Sequence, residues 1–397
     1  MKKIPKKYLI LSLFLLAILA SLFLYKLLAK NRVEVFVPEL PSFLKGIVYS
    51  PYYPGEIGGE LLLNDDRYFD HLNKIKDLGA NVVSVFPEKM PPNFFSALEK
   101  ADLFYVPIIN INLYDGTDNS DLLSSSYQEK VIKHIEEIID YNYSLGQPDR
   151  LAYFVLGYEI NPDYLDLTDR LHLQETFFSG NYLSLKNRRP AEIALAKILD
   201  AAMSYEIKKY NKRHLYTHIS FPAYKFLRSE KSSYVFNDLA FFPDFFDFIS
   251  LNLYPSYFYP EEKNFIAYLQ ALSDISKKPL IISELGLSTA PGKRENGVPS
   301  YEDGSEKAAA KLFNSSASCI SDFPKIKGLF FFEFMDEYWK NGEEEKDALI
   351  HNLSDSEEWF GLYEPSPVVG NFTLEPKEEI IKTVSNIFNS EIFITDK

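Results

Sequence analysis

The sequence predicts an α/β protein whose strands close into a (β/α)8 barrel, preceded by an N-terminal transmembrane helix. Three observations carry that expectation. Apolar, β-branched and aromatic runs without polar alternation recur along the chain, as in Leu151–Glu159 (LAYFVLGYE) and Pro279–Gly286 (PLIISELG); strands covered on both faces read this way. Eight such runs alternate with helical patterns, as in one closed parallel barrel rather than two domains. Finally, a stretch of roughly twenty apolar residues near the N-terminus is long enough to cross a bilayer.

Taken in order, Lys2, Lys3, Lys6 and Lys7 precede an apolar stretch from Tyr8 to Tyr25, which reaches Leu28 if Lys26 snorkels. The stretch exceeds the ~7–15-residue apolar core of a cleavable signal. The lysines favour a cytoplasmic N-terminus with the remainder of the chain exported, periplasmic or extracellular. Residues 1–28 are therefore expected to be a signal anchor, with cleavage near Ala17–Ser21 as the second reading. Residues 29–44, interrupted by Pro38 and Pro41, read as a tether, and 45–397 as the barrel. Strands are expected at Gly46–Tyr53, Asn81–Pro87, Leu103–Ile111, Leu151–Glu159, Leu215–Phe221, Phe246–Tyr254, Pro279–Gly286 and Lys327–Glu337. Helical patterns lie at Arg67–Leu78, Asn93–Lys100, Tyr127–Leu145, Arg188–Tyr210, Glu262–Ser276, Gly304–Ser321 and Pro376–Asn389. Asp66 is placed to cap the first helix and Gly79 to stop it. The stretch Ser232–Ala240, after the fifth strand, has no helical pattern. A doubly wound open sheet is the alternative, but it normally carries a glycine-rich phosphate loop after its first strand. Tyr52–Gly59 (YYPGEIGG) lacks that spacing.

Bulk composition narrows the function classes. The 397 residues carry a net charge of −14, and beyond the N-terminus there is no basic stripe of the kind that phosphate binding needs, so no nucleic-acid partner is expected. With 32 Phe and 27 Tyr, aromatics reach 15%; most of these serve the core, and some can line a sugar-binding cleft. The one cysteine, Cys319, lies in a helical pattern and reads as a buried structural thiol. Asn142, Asn314, Asn352 and Asn371 begin N-x-[ST] triplets. Six histidines offer no H-E-x-x-H pattern and the one cysteine no C-x-x-C, so no transition-metal site or cofactor is expected. Asp65–Asp66 and Asp115–Asp118 read as turns rather than Ca²⁺ loops, and Glu343–Asp347 as solvated surface. No G-x-S-x-G elbow appears.

Glu159 and Glu284 each end or nearly end an apolar strand run, the fourth and the seventh. In a (β/α)8 barrel the functional groups stand at the C-terminal ends of the strands, and a carboxylate pair there is the equipment of a glycosidase. Their placement resembles that of the clan A glycoside hydrolases, whose acid/base ends strand 4 and whose nucleophile ends strand 7. The resemblance implies Glu159 as acid/base and Glu284 as nucleophile. It also implies a sugar-site role for Asn252 and Tyr254 in LNLYP, with Tyr254 in the place of the tyrosine that bonds the nucleophile. His218 matches a histidine that some members keep near the acid/base. The strand-8 region, Phe330–Lys340 (FFFEFMDEYWK) with Trp359–Tyr363, looks like that of family 2-like hydrolases and related β-glucan-acting enzymes, with Trp339 as the aromatic floor of the sugar subsite. The resemblance extends from Gly46 to about Glu364 and picks no single family.

One departure stands out. Most of the clan has Asn immediately before the acid/base, bonding the sugar 2-hydroxyl, whereas this chain has Tyr158. The expected function is a membrane-anchored retaining hydrolase or transglycosylase of β-linked glycans, acting outside the cytoplasm on a carbohydrate substrate, including the organism's own exported glycan. The alternative, supported by Tyr158, is a non-catalytic polysaccharide-binding or assembly protein on a degenerate barrel.

Overall fold

The computed structural model describes residues 39–58, 62–112, 121–145, 147–220, 243–254, 262–290, 305–340, 349–353, 355–368 and 371–393. Its strands are β1 (Leu44–Tyr49), β2 (Val82–Val85), β3 (Phe104–Ile109), β4 (Phe154–Tyr158), β5 (Phe177–Ser179), β6 (Ser184–Lys186), β7 (Tyr216–Ser220), β8 (Ile249–Leu253), β9 (Leu280–Leu285), β10 (Ile326–Phe331), β11 (Tyr363–Val368) and β12 (Asn371–Pro376). All eight expected strands join one closed barrel of parallel neighbours, β1–β2–β3–β4–β7–β8–β9–β10, with β10 returning to β1. Two antiparallel hairpins, β5–β6 and β11–β12, stand outside it.

Helices α1 (Arg67–Asp77), α2 (Pro92–Ala101), α3 (Ser125–Ser144), α4 (Pro162–Leu171), α5 (Pro190–Tyr210), α6 (Glu262–Ile275), α7 (Glu306–Ser321) and α8 (Glu378–Asn389) complete the order. Seven follow the sequence patterns to within two residues at each end. The eighth, α4, was not expected, although Asn161–Pro162 signals it. The Asn161 side chain accepts from Asp163 N at 2.9 Å, and proline suits the first helical position.

The capping expectation for α1 is corrected. Asp66 makes no side-chain cap bond; Asp65, one residue earlier, accepts from Arg67 N at 3.1 Å and also grips the Arg67 guanidinium. Gly79, at φ +89°, does stop the helix. Of the glycosylation triplets, Asn142 is buried and bonded to the Tyr105 hydroxyl, so the folded chain does not present it. Cys319 is buried in α7.

The missing polar alternation has its cause in this layering. Val48, Val82, Val106, Val155, Ile219 and Ile281 fill the barrel interior, while Ile47, Val83, Tyr105 and Phe154 pack beneath the helices. Close packing inside requires a glycine at position 46, where a Cβ would lie 2.0 Å from the Phe330 ring. Among the described residues no helix is long and apolar enough to cross a membrane. The expected span Tyr8–Leu28, the stretch Ser232–Ala240, the Asp115–Asp118 turn and the Glu343–Asp347 loop lie outside the described residues.

Because the strands are parallel, β4 and β9 deliver Glu159 and Glu284 to the same rim. Each strand carries one extra residue just before its glutamate. On β4, the pairing with β7 slips between Val155 and Tyr158; on β9, the pairing with β8 slips between Ile282 and Glu284. Such bulges re-aim the side chains that follow them. The β4 bulge rests on Gly157, at φ +85°, where a Cβ would come within 2.6 Å of Ile111 and 2.8 Å of His218. Glu159 itself sits at φ +44°.

Candidate active site

Glu284 is 2% exposed, and both of its oxygens accept phenolic hydrogen bonds. Tyr158 O–H donates to Oε1 at 3.0 Å, and Tyr254 O–H donates to Oε2. Glu159, partly exposed, accepts from Asn252 Nδ2 at 2.7 Å on Oε1. The orientation of that amide is fixed by a further bond, because Ser283 O–H donates to Asn252 Oδ1 at 2.9 Å. Asn252 pairs in register with Glu284 while bonding Glu159, and Tyr158 adjoins Glu159 while bonding Glu284. The two carboxyls therefore share one web of donors from β4, β8 and β9.

Burial pushes Glu159 up to about 7, against the Asn252 bond and with Glu357 adding to the rise. Burial and the neighbouring Glu159 charge push Glu284 up to about 8, against the two phenol bonds. Carboxyls coupled in this way titrate as a pair, and the anion is best accommodated on the member with two O–H donors. With an N–H donor fixed on Oε1 of Glu159, the proton of that acid belongs on its Oε2.

Aromatic rings wall the site. Phe86, at the end of β2, meets Tyr158 edge-on at 5.3 Å, and Phe332, just past β10, lies 6.1 Å from the Tyr254 ring and 6.3 Å from Phe86. Lys340 Nζ stands 4.6 Å above the Phe332 ring and donates to Glu333 Oε1 at 3.2 Å and Glu337 Oε2 at 2.7 Å. Its positive charge opposes the upward shift of both Glu159 and Glu284.

The other expected site residues fall in two groups. Tyr254 and Asn252 touch the carboxyl pair directly. His218 is buried on β7 beneath the β4 bulge, with Nδ1 2.9 Å from Leu156 O, and burial holds it down to about 4, so the ring is neutral at physiological pH. Trp339 is half-buried: Gly58 lies so close that a Cβ there would be 2.6 Å from the indole, and Trp339 Nε1 donates to Glu337. On the strand-8 side, Phe332 and Phe360 pack against the Tyr254 ring that bonds Glu284. Phe86, Phe332, Ser283 and Lys340 were not singled out in the sequence; Phe86, near the end of the expected strand Asn81–Pro87, had the most readable signal. His214 and His218, spaced as helical metal ligands would be, lie along an extended chain about 13 Å apart, and His214 bonds Glu206. Among the described residues no three metal-ligating side chains converge.

No family model and no curated protein matches the sequence. Solved structures do match. The Bacteroides uniformis beta-glucuronidase 2 covalently bound to cyclophellitol-6-carboxylate aziridine is 17% identical at a TM-score of 0.56, over 88% of this chain and 36% of that one. The GH2 beta-galacturonidase from Eisenbergiella tayi bound to galacturonate is 14% identical at 0.54, over 87% and 51%. The Ruminococcus gnavus beta-glucuronidase in complex with uronic deoxynojirimycin is 13% identical at 0.57, over 87% and 50%. This chain thus spans about a third to a half of the length of those structures. The likeness establishes the fold, a (β/α)8 barrel.

Proposed function

We propose that the protein is a retaining glycoside hydrolase or transglycosylase acting on β-linked glycans. Glu159 Oε2–H protonates the departing glycosidic oxygen while a Glu284 oxygen attacks the anomeric carbon, forming a glycosyl-enzyme ester and breaking the glycosidic bond. Glu159, now a carboxylate, takes the proton of a water or acceptor-sugar hydroxyl. That oxygen attacks the anomeric carbon, Glu284 leaves, and the configuration is retained. Tyr254 holds the nucleophile, Asn252 holds the acid, and the Phe86 and Phe332 rings exclude water. The observation that carries this reading is the shared donor web: neutral O–H and N–H groups hold both carboxyls, leaving them free to exchange protons with a substrate.

The test is turnover on a panel of β-linked glycans with the anomeric form of the product followed by NMR. A β-product at early times supports the reading, and an α-product contradicts it. If no glycan is cleaved but Glu284→Gln and wild type bind one equally, the non-catalytic binding protein is the correct reading; its motivation is Tyr158 in the place of the clan's Asn. We propose further, from the sequence, that Tyr8–Leu28 anchors the chain in a membrane with the barrel outside the cytoplasm. N-terminal sequencing of the mature protein tests this, and a start at or beyond Ser21 contradicts it.

A further inference from the structure

The two phenols on Glu284 differ in origin. Tyr254 follows β8, the neighbour of β9, and its ring meets Phe332 at 6.1 Å and Phe360 at 5.8 Å. Tyr158 ends β4, which is not a neighbour of β9, so its 3.0 Å bond to Oε1 spans the barrel rim between the two glutamate-bearing strands. The bulge at Gly157 aims it there, Asn112 Nδ2 pins its backbone carbonyl at 3.0 Å, and Phe86 supports its ring. The scissile bond must lie between Glu159 and Glu284, which is the gap this phenol crosses.

A second constraint comes from valence. A carboxylate oxygen that forms an ester gives up the lone pair and the charge that made it a strong acceptor. With a phenol on each oxygen, attack through either one weakens a phenol bond. The donor reaching across the substrate's path can turn to the sugar, while the one from the adjacent strand stays.

We propose that Tyr158 is a second positioning residue of the nucleophile, whose O–H bonds Glu284 in the resting site and passes to a sugar oxygen next to the anomeric carbon as Glu284 attacks. No bond other than this hydrogen bond changes hands, and the phenol keeps its proton throughout. The role rests on the proposed glycosidase reading, but its first half is measurable without turnover. A donor lost from the anionic form raises a carboxyl pKa.

The experiment uses the full chain with ¹³C-labelled glutamate side chains, with the Glu284 signal assigned by its loss in Glu284→Gln. In Tyr158→Phe the Glu284 midpoint is expected to move up by roughly one pH unit, as it does in Tyr254→Phe. An unchanged midpoint in Tyr158→Phe overturns the resting-state role, whatever the protein catalyses. If Tyr158→Phe does not fold, Tyr158→Asn, whose amide is too short to reach, is expected to give the same shift. On a substrate that wild type cleaves, Tyr158→Phe is expected to lose about 10–100-fold in kcat with little change in KM, and the acid limb of kcat/KM moves to higher pH. A normal kcat, or a loss confined to KM, overturns the transfer to the sugar. Absence of turnover by wild type sinks the glycosidase reading and leaves the titration result standing.

Discussion

Two groups of carboxyls share the mouth of this barrel and are treated in opposite ways. In the loop after β10, ammonium groups lie against the acids: Lys340 meets Glu333 and Glu337, and Lys377 donates to Asp336 at 2.7 Å, while burial and the Glu337 charge still push Glu333 well above the ordinary carboxylate range. Across β4 and β9, the donors that Glu159 and Glu284 receive among the described residues are phenols and an amide. An ion pair fixes charge in place, and removing one partner leaves a buried charge stranded. A neutral donor steadies an anion without forbidding its protonation, so the pair can pass through the charge states that acid/base and nucleophilic steps need. On the proposed reading, the difference separates carboxyls that build the mouth from carboxyls that react in it.

The largest expected effect lies on the reactive side. Glu284→Ala is expected to lower kcat by about 10⁴-fold or more on any substrate. Glu159→Ala should lose about 10²–10⁴-fold on ordinary glycosides yet spare those with activated leaving groups, and added azide should rescue it as a β-glycosyl azide. Steady-state kinetics and product NMR check both. Wild-type rates in either variant would erase the distinction.

Next comes the structural side. Lys340→Met should destabilise the fold by about 3–5 kcal/mol, because Glu333 and Glu337 lose their shared cation. Urea unfolding measures this, and a change below about 1 kcal/mol would show that the cluster is not an ion-paired clamp.

The pH dependence sharpens the contrast further. Glu159, which holds the proton of the pair, is raised in the folded state from 4.5 to about 7, so its stabilising contribution is complete below the unfolded value and is lost as pH rises through the folded one. Glu159→Gln, which cannot ionise, should therefore gain in Tm over wild type between pH 5 and pH 9. A Tm difference that is flat across that range would mean that Glu159 is ionised throughout. The smallest effect is expected at Trp339. Trp339→Phe should leave kcat/KM near wild type while lowering Tm slightly, since the indole packs on Gly58 and bonds Glu337. A large rise in KM with unchanged Tm would return Trp339 to the sugar subsite.

The barrel was legible because strands buried on both faces leave an unbroken apolar signature, and eight of them alternate with amphipathic helices. The β5–β6 and β11–β12 hairpins were not, since exposed three-residue strands such as Phe177–Ser179 and polar ones such as Asn371–Pro376 carry no such signature. Glu159 and Glu284 stood out as carboxylates at or near the ends of apolar strands. Their partners were harder to read. The direction of Tyr158 depends on the bulge at Gly157, and the pairing of Asn252 with Glu284 on the one at Ser283; a one-residue slip in strand pairing leaves no periodic mark in so short a run. The contact of Trp339 with Gly58 was unreadable for a related reason, because Gly58 lies far away in sequence and has no side chain to advertise it.

The central claim is that Glu284 becomes covalently attached to the sugar. The direct test is to incubate wild type with a slow 2-fluoro β-glycoside bearing an activated leaving group, digest the protein and map the adduct by mass spectrometry. A single glycosyl adduct on Glu284, absent from Glu284→Gln and still formed in Glu159→Ala, is the predicted result. An adduct on any other residue, or none with a substrate analogue whose parent glycoside the protein demonstrably cleaves, would contradict it.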